Sequence, residues 1–409
     1  MRLLVTNVSA AVLVLVGVTG CGAANAALAG AAPASAAVSA KARVSANAPM
    51  SSRRSSGVTA AAGQGAASVP AKRADLLEGV SCADGTCYAT GYTQSAAGTR
   101  TLIEAWNGKK WVREPSPSAG ATGPLAPVSC APGNAPNVMN RCLVASTPDL
   151  AGSGGSWRIV GKGDSQLDSV SCPAAGTCML VGQTTKAPVY ATWNGKTFAS
   201  GVLRTPPHSF QTVTVSGVSC ASPVSCIAVG DFSYGVQAMP SASARDKVLA
   251  EQWNGHAWRL LTAVNVSDWN QLIAVSCVSA SDCTAVGTTE NQFPFAERWN
   301  GSTWKVEPVP TVSAIGYLSL SSVSCPAAEF CVAAGNYQGE PVAETWNGST
   351  WHVSLLPLPP GDNHSAQLNG VSCLSRSACA AVGLSGDGSS FAEVYASGKW
   401  RLSATVNPV

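Results

Sequence analysis

The feature that most restricts how this chain can fold is a cysteine-bearing pattern that returns seven times. Val-Ser-Cys ends at Cys82, Cys130, Cys172, Cys220, Cys277, Cys325 and Cys373, at intervals of 48, 42, 48, 57, 48 and 48 residues. A second cysteine follows each time, at Cys87, Cys142, Cys178, Cys226, Cys283, Cys331 and Cys379. Units of this length cannot bury an apolar face alone, so successive copies must share a core.

The fullest copies read Val-Ser-Cys, a short turn, Cys-x-Ala-Val-Gly, a variable loop, then Ala-Glu-x-Trp-Asn-Gly-x-x-Trp. Each divides into four strands. Ser321–Cys325 alternates apolar and small polar residues, as a half-buried strand does. A turn at Pro326 leads to Cys331–Gly335, and Ala343–Trp346 runs into Asn347-Gly348, a hairpin dipeptide. The fourth strand begins at Trp351. A four-residue loop would set Trp346 opposite Trp351, an aromatic cross-strand pair. The same pairing is predicted for Trp106 with Trp111, Trp253 with Trp258, Trp299 with Trp304, Trp193 with Phe198 and Tyr395 with Trp400. The second copy keeps Cys130, Cys142 and Trp157 but loses Asn-Gly. Seven four-stranded units predict an all-β, seven-bladed β-propeller. Neither end carries a polar capping repeat, which favours a closed ring over a solenoid. One repeat per blade is the expectation, because residues 402–409 suffice to finish a fourth strand.

The Val-Gly steps at Val181-Gly182, Val229-Gly230, Val286-Gly287 and Val382-Gly383, followed by paired aromatics, resemble kelch and galactose-oxidase propeller repeats. The pattern is also similar to Trp-Asn-Gly repeats of secreted bacterial proteins. The resemblance spans about residues 76–409 and implies a propeller.

Two cysteines flanking a hairpin turn can reach disulfide distance, and each short ring would contribute roughly 2 kcal/mol. Zinc binding would need two pairs to converge, which hairpins on separate blades do not do. Seven pairs use fourteen of the fifteen cysteines, leaving Cys21. That residue ends Val18-Thr19-Gly20-Cys21, which resembles the lipobox of bacterial lipoproteins, after an apolar run from Leu3 to Val18 that is short for a membrane span. The resemblance implies lipidation at Cys21 and removal of residues 1–20. Residues 21–75 are rich in Ala, Ser, Gly and Pro, a composition expected to remain disordered. As a tether they would reach on the order of 40 Å. The expected location is the outer face of the cell membrane, extending into the cell wall, with the propeller at 76–409.

A net charge of +3 with 11% charged residues gives no nucleic-acid footprint. His208, His256, His352 and His364 are the only histidines, and no zinc-protease helix, phosphate loop or nucleophile elbow is present. No metal, cofactor or catalytic set is therefore expected. Glu104, Glu251, Glu297, Glu344 and Glu393 each stand two residues before a hairpin aromatic. Equivalent copies in separate blades point to a scaffold role, such as bonding a neighbouring backbone or side chain, rather than to paired acid–base chemistry.

Function is expected where the copies differ. The segment from Asp231 to Lys247 makes the longest interval and carries Phe232, Tyr234 and Arg245. Trp269, Phe293, Tyr317 and Tyr337 mark other variable connections, beside Asp268, Asn270, Asn291, Asp362 and Asn363, with Phe210 and Gln211. Aromatics among amides and carboxylates suit stacking on sugars or docking a protein. The expectation is a monomeric, non-enzymatic module binding a glycan, peptide or protein. The alternatives are an extracellular polysaccharide hydrolase or lyase using loop carboxylates such as Asp231, Asp268 or Asp362, and a structural envelope protein with no small ligand.

Overall fold

Each repeat folds into one four-stranded antiparallel sheet, its strands adjacent in chain order, and the seven sheets form the blades of a propeller. The structure, a computed structural model, describes residues 74–406 apart from 96–97, 118–126, 134–140, 147, 162–165, 185–186, 208, 235–244 and 314–316. Cys21 and the proposed signal and tether segments lie outside these residues. The blades span residues 74–113, 128–159, 166–202, 209–260, 270–307, 318–355 and 367–403. Among the described residues no blade borrows a strand from another repeat.

Pairing follows the repeat chemistry. Cys82, Cys130, Cys220, Cys277 and Cys373 stand directly opposite their partners across the first hairpin. All seven pairs are disulfides, with Cα atoms 3.9–4.1 Å apart. That spacing belongs to a non-hydrogen-bonded antiparallel pair, in which each N–H points away from the partner strand. The preceding blade supplies the missing acceptor. The N–H of Cys130 donates to Ser81 Oγ, Cys172 to Ser129, Cys220 to Ser171, Cys277 to Ser219, Cys325 to Ser276 and Cys373 to Ser324, each at 2.9 Å. Cys82 N–H donates to Ser372 Oγ at 2.9 Å and closes the ring. The serine of Val-Ser-Cys is thus a clasp between blades, and the cysteine beside it is both staple and donor.

The glycine of Cys-x-Ala-Val-Gly has a steric cause. A Cβ at Gly335 would sit 1.9 Å from the Ser319 carbonyl oxygen, and Gly91, Gly230, Gly287 and Gly383 repeat this clash. The first strand approaches so closely because it bulges there, leaving Ser321 unpaired between Leu320 and Ser322.

The Trp-Asn-Gly-x-x-Trp hairpins pair as their sequence predicts. Trp346 opposes Trp351 with ring centroids 5.8 Å apart, and the other predicted pairs lie at 4.5–5.6 Å. Asn347 Oδ1 accepts from the N–H groups of Ser349 and Thr350, while Gly348 takes φ +98°. In blade 2 the turn is Gly154-Gly155, with both residues at positive φ, and Gly152 faces Trp157. Tyr88 of blade 1 supplies the missing aromatic partner, edge-on to Trp157 at 5.7 Å, and its hydroxyl accepts from Gly154 N–H at 2.9 Å. The core consists of apolar layers between neighbouring blades. Blade 5's Val286 and Ala296, for example, pack with blade 6's Leu320, Val342 and Trp346.

Candidate binding face

The two kinds of hairpin turn share one rim. A Cβ on Gly301 would meet Ser281 at 2.9 Å, and one on Gly348 would meet Glu329 at 3.1 Å, so cysteine turns and Asn-Gly turns sit side by side. The second-to-third-strand connections and the crossings between blades therefore open on the opposite rim, where the copies diverge.

Over blades 5 to 7 that rim is stitched into an arc. Glu290 N–H donates to the Trp269 carbonyl at 3.0 Å, and Leu318 N–H to the Gln292 carbonyl at 3.3 Å. These bonds draw together the segments carrying Trp269, Phe293 and Tyr317. Phe293 is 39% exposed and Tyr317 61% exposed, whereas Trp269 is half-buried. Further round, Asn336 Nδ2 donates to the Ala366 carbonyl at 2.6 Å, His364 pairs with Glu340 at 2.8 Å, and Asp362 accepts from Gly386 N–H at 2.6 Å. Asn270 is fully buried and holds its own turn, accepting from Val266 and Ser267 N–H. Asn291, Asn363 and His364 are exposed.

Several residues expected in loops stand on strands. The second and third strands of blade 4, Ser225–Tyr234 and Arg245–Trp253, remain paired up to Tyr234 opposite Arg245, so the Asp231–Lys247 insertion is a longer hairpin whose connection is only 235–244. The side chains of Tyr234 and Arg245, and those of Phe210 and Gln211, lie outside the described residues, as does His208. Phe232 is half-buried and packs with Tyr190 and Val213 against the layer between blades 3 and 4. Tyr337 ends a strand and packs half-buried against the layer between blades 5 and 6. His256 and His352 are exposed on the turn rim, where His352 meets Asn347 at 2.8 Å.

The repeated glutamates are scaffold groups. All five are fully buried. Arg204 N–H donates to Glu251 at 3.1 Å, Val264 N–H to Glu297 at 3.4 Å, and Val406 N–H to both oxygens of Glu104 at 3.2 Å. Each donor lies just after the last strand of the preceding blade, Arg204 and Val264 on crossings and Val406 after blade 7. Burial pushes Glu104, Glu251 and Glu297 up to about 7, against the pull of those N–H groups. Asp231 is likewise raised to about 7, by burial first and then by the charge of Asp246, whose carboxylate accepts from Ser233 Oγ at 2.7 Å.

The central channel is a cavity of about 290 Å³ lined by the innermost strands. In six blades the bulged residue of the first strand faces it: Glu78, Asp168, Ser216, Ile273, Ser321 and Asn369. Ser321 Oγ and Asn369 Nδ2 donate to the next blade's Leu368 and Leu77 carbonyls. Burial raises the carboxyls of Glu78 and Asp168. The available signal was the changing residue two positions before the valine of Val-Ser-Cys. Among the described residues, no three His, Cys, Asp or Glu side chains converge as metal ligands. A depression of about 460 Å³ on the turn rim, between blades 5 and 6, is lined by Arg298, Lys305, Glu307 and Trp346. Its guanidinium is already committed to Asp282, the Ala328 carbonyl and the Trp346 ring.

The architecture defines the chain as a seven-bladed β-propeller with a tight-turn rim and a divergent rim. No protein-family model and no curated protein matches it. Among solved structures it is similar to YCF48 from Cyanidioschyzon merolae, at 13% identity and a TM-score of 0.52, covering 80% of this chain and 97% of that one. It also matches a fucose-specific lectin from Aleuria aurantia, at 10% identity and TM-score 0.47, over 82% of this chain and 96% of the lectin. U3-55K matches at 10% identity and TM-score 0.46, over 67% and 79% of the two chains. At these identities the likeness is one of fold alone.

Proposed function

We propose that this chain is a cell-surface lipoprotein, anchored through Cys21, whose propeller binds a glycan, peptide or protein of the envelope without turning it over. The observation that carries this reading is the exposure of Phe293 and Tyr317 on the divergent rim, on segments joined by the Leu318–Gln292 backbone bond. Two aromatic faces from neighbouring blades, bordered by the exposed amides of Asn291 and Gln292, form a surface that can stack on a sugar ring or clamp a peptide. The kelch-like spacing of the repeats fits a scaffold that keeps its turns constant and varies its loops. The test is a glycan array and an envelope-fraction pull-down with the full, oxidised chain and with F293A/Y317A. Saturable binding lost in the variant supports the reading, and saturable binding equal in both proteins moves the site elsewhere.

The hydrolase reading draws on the Asp231 carboxyl, which burial and the charge of Asp246 raise to about 7, into the range a general acid uses. It predicts polysaccharide cleavage that disappears in D231N, measured as new reducing ends. Intact polysaccharide with the wild type removes it.

A further inference from the structure

The five buried glutamates do not share one environment, and the difference is traceable to single residues of the crossings between blades. Arg204 stands six positions after Phe198, Val264 six after Trp258 and Val406 six after Trp400. Each gives its N–H to the glutamate of the next blade. After Trp304 that position is Pro310, and after Trp351 it is Pro357. Proline has no N–H to give. These crossings lead to blades 6 and 7, which carry Glu344 and Glu393. After Trp111 the position is also a proline, Pro117, but there the following blade has Leu150 where five blades have glutamate.

The packing puts each proline-bearing crossing on its glutamate's side. Alternation sets Glu344 on the face of Val342 and Trp346, in the layer that also holds Val309 and Val312, on either side of Pro310. Glu393 shares the face of Phe391 and Tyr395, in the layer that holds Leu356 and Leu358, on either side of Pro357. Both glutamates are fully buried, and among the described residues neither carboxyl oxygen of either one has a hydrogen-bond partner. Their register neighbours are Ala333 and Val353 for Glu344, and Ala381 and Leu402 for Glu393. Residues 308–312 and 356–360 contain no charged side chain. Asp75 and Arg113 act on Glu104, and Arg204 on Glu251, but no charged group contributes at Glu344 or Glu393.

A buried carboxylate with neither donor nor counter-charge is far more costly than the neutral acid. We propose that Glu344 and Glu393 are protonated carboxylic acids in the native ring at neutral pH, which makes the two joints flanking blade 6 a pair of alkali-sensitive contacts. Burial alone raises both to about 8, compared with about 7 for the three glutamates that keep an N–H donor. The folded values lie above the ordinary 4.5, so the stabilisation is complete below that value. It declines as pH rises and is lost through about 8. The joint between blades 5 and 6 also carries Phe293 and Tyr317, so the same protons bear on the rim proposed to bind.

The test is urea unfolding of the full, disulfide-intact chain between about pH 5 and about pH 9, for wild type, E344Q/E393Q, P310A and P357A. Each glutamate should raise the wild-type unfolding constant by up to about tenfold per pH unit below its folded value. The double glutamine variant should lose two protons' worth of that dependence. Each alanine variant, by restoring an N–H, should reduce it at its own joint. Independently of folding yield, carbon-13-labelled glutamate in the wild type should show two carboxyl resonances still protonated at neutral pH, one vanishing in E344Q and one in E393Q. Equal pH dependence in wild type and double variant, or two carboxylate resonances at neutral pH, would overturn the proposal.

Discussion

Replacing Ser276 by alanine isolates the clasp between blades. Ser276 Oγ accepts from Cys325 N–H at 2.9 Å, and Cys325 is buried in the layer between blades 5 and 6. The adjacent strand cannot take over this N–H, because the close cysteine pair directs it outward. A buried donor left unpaired costs about 1–3 kcal/mol. With about 2.1 cal/mol/K of unfolding entropy per residue over roughly 330 residues, each kcal/mol moves Tm by about 1.4 °C. The expected loss is therefore about 1.5–4 °C, read by tryptophan fluorescence, with a matching fall in the urea midpoint. Ser372→Ala should cost a similar amount, although its bond to Cys82 spans 290 residues. Ser302→Ala, on an exposed hairpin, should stay within about 0.5 kcal/mol of wild type. If Ser276→Ala and Ser372→Ala behave like Ser302→Ala, the clasp reasoning fails.

Two further outcomes follow from the same geometry. Gly335→Ala would put a Cβ 1.9 Å from the Ser319 carbonyl, so it should cost about 3 kcal/mol or more, visible as a lowered urea midpoint. A change under about 1 kcal/mol would mean that the bulge relaxes freely. The Asp231 carboxyl is raised from 3.8 to about 7, so the wild type should lose stability relative to D231N as pH climbs between those values, by at most about 1.4 kcal/mol per unit. Parallel stability curves for the two proteins would place Asp231 in water.

The blades were legible because each rests on local pairing. Trp346 and Trp351 are five residues apart and Cys325 and Cys331 six, so turn chemistry alone sets their register. That the glutamates serve the scaffold, through a neighbouring backbone or side chain, could be anticipated from equivalent copies in separate blades, and three of the five accept a backbone N–H. Which backbone could not be read. Glu104 meets Val406 across 302 positions, and nothing local to Glu344 discloses that Pro310 stands where an N–H is wanted. Phe293 and Tyr317 are exposed on variable connections, whereas Phe232 and Tyr337, which look the same in sequence, stand half-buried against the layers between blades. Hydrophobicity does not tell an aromatic that stacks on a ligand from one that seals a blade edge; only the neighbouring blade decides.

The most direct test of the functional account is a titration of the binding envelope fraction, or of an array-positive glycan, against the full chain and against F293A/Y317A. Both proteins must first show the same disulfide mass and the same urea midpoint. The account predicts saturable binding to the wild type and at least about a tenfold weaker Kd for the variant, the loss expected when central aromatic contacts are removed. An unchanged Kd in a variant of native stability would contradict it.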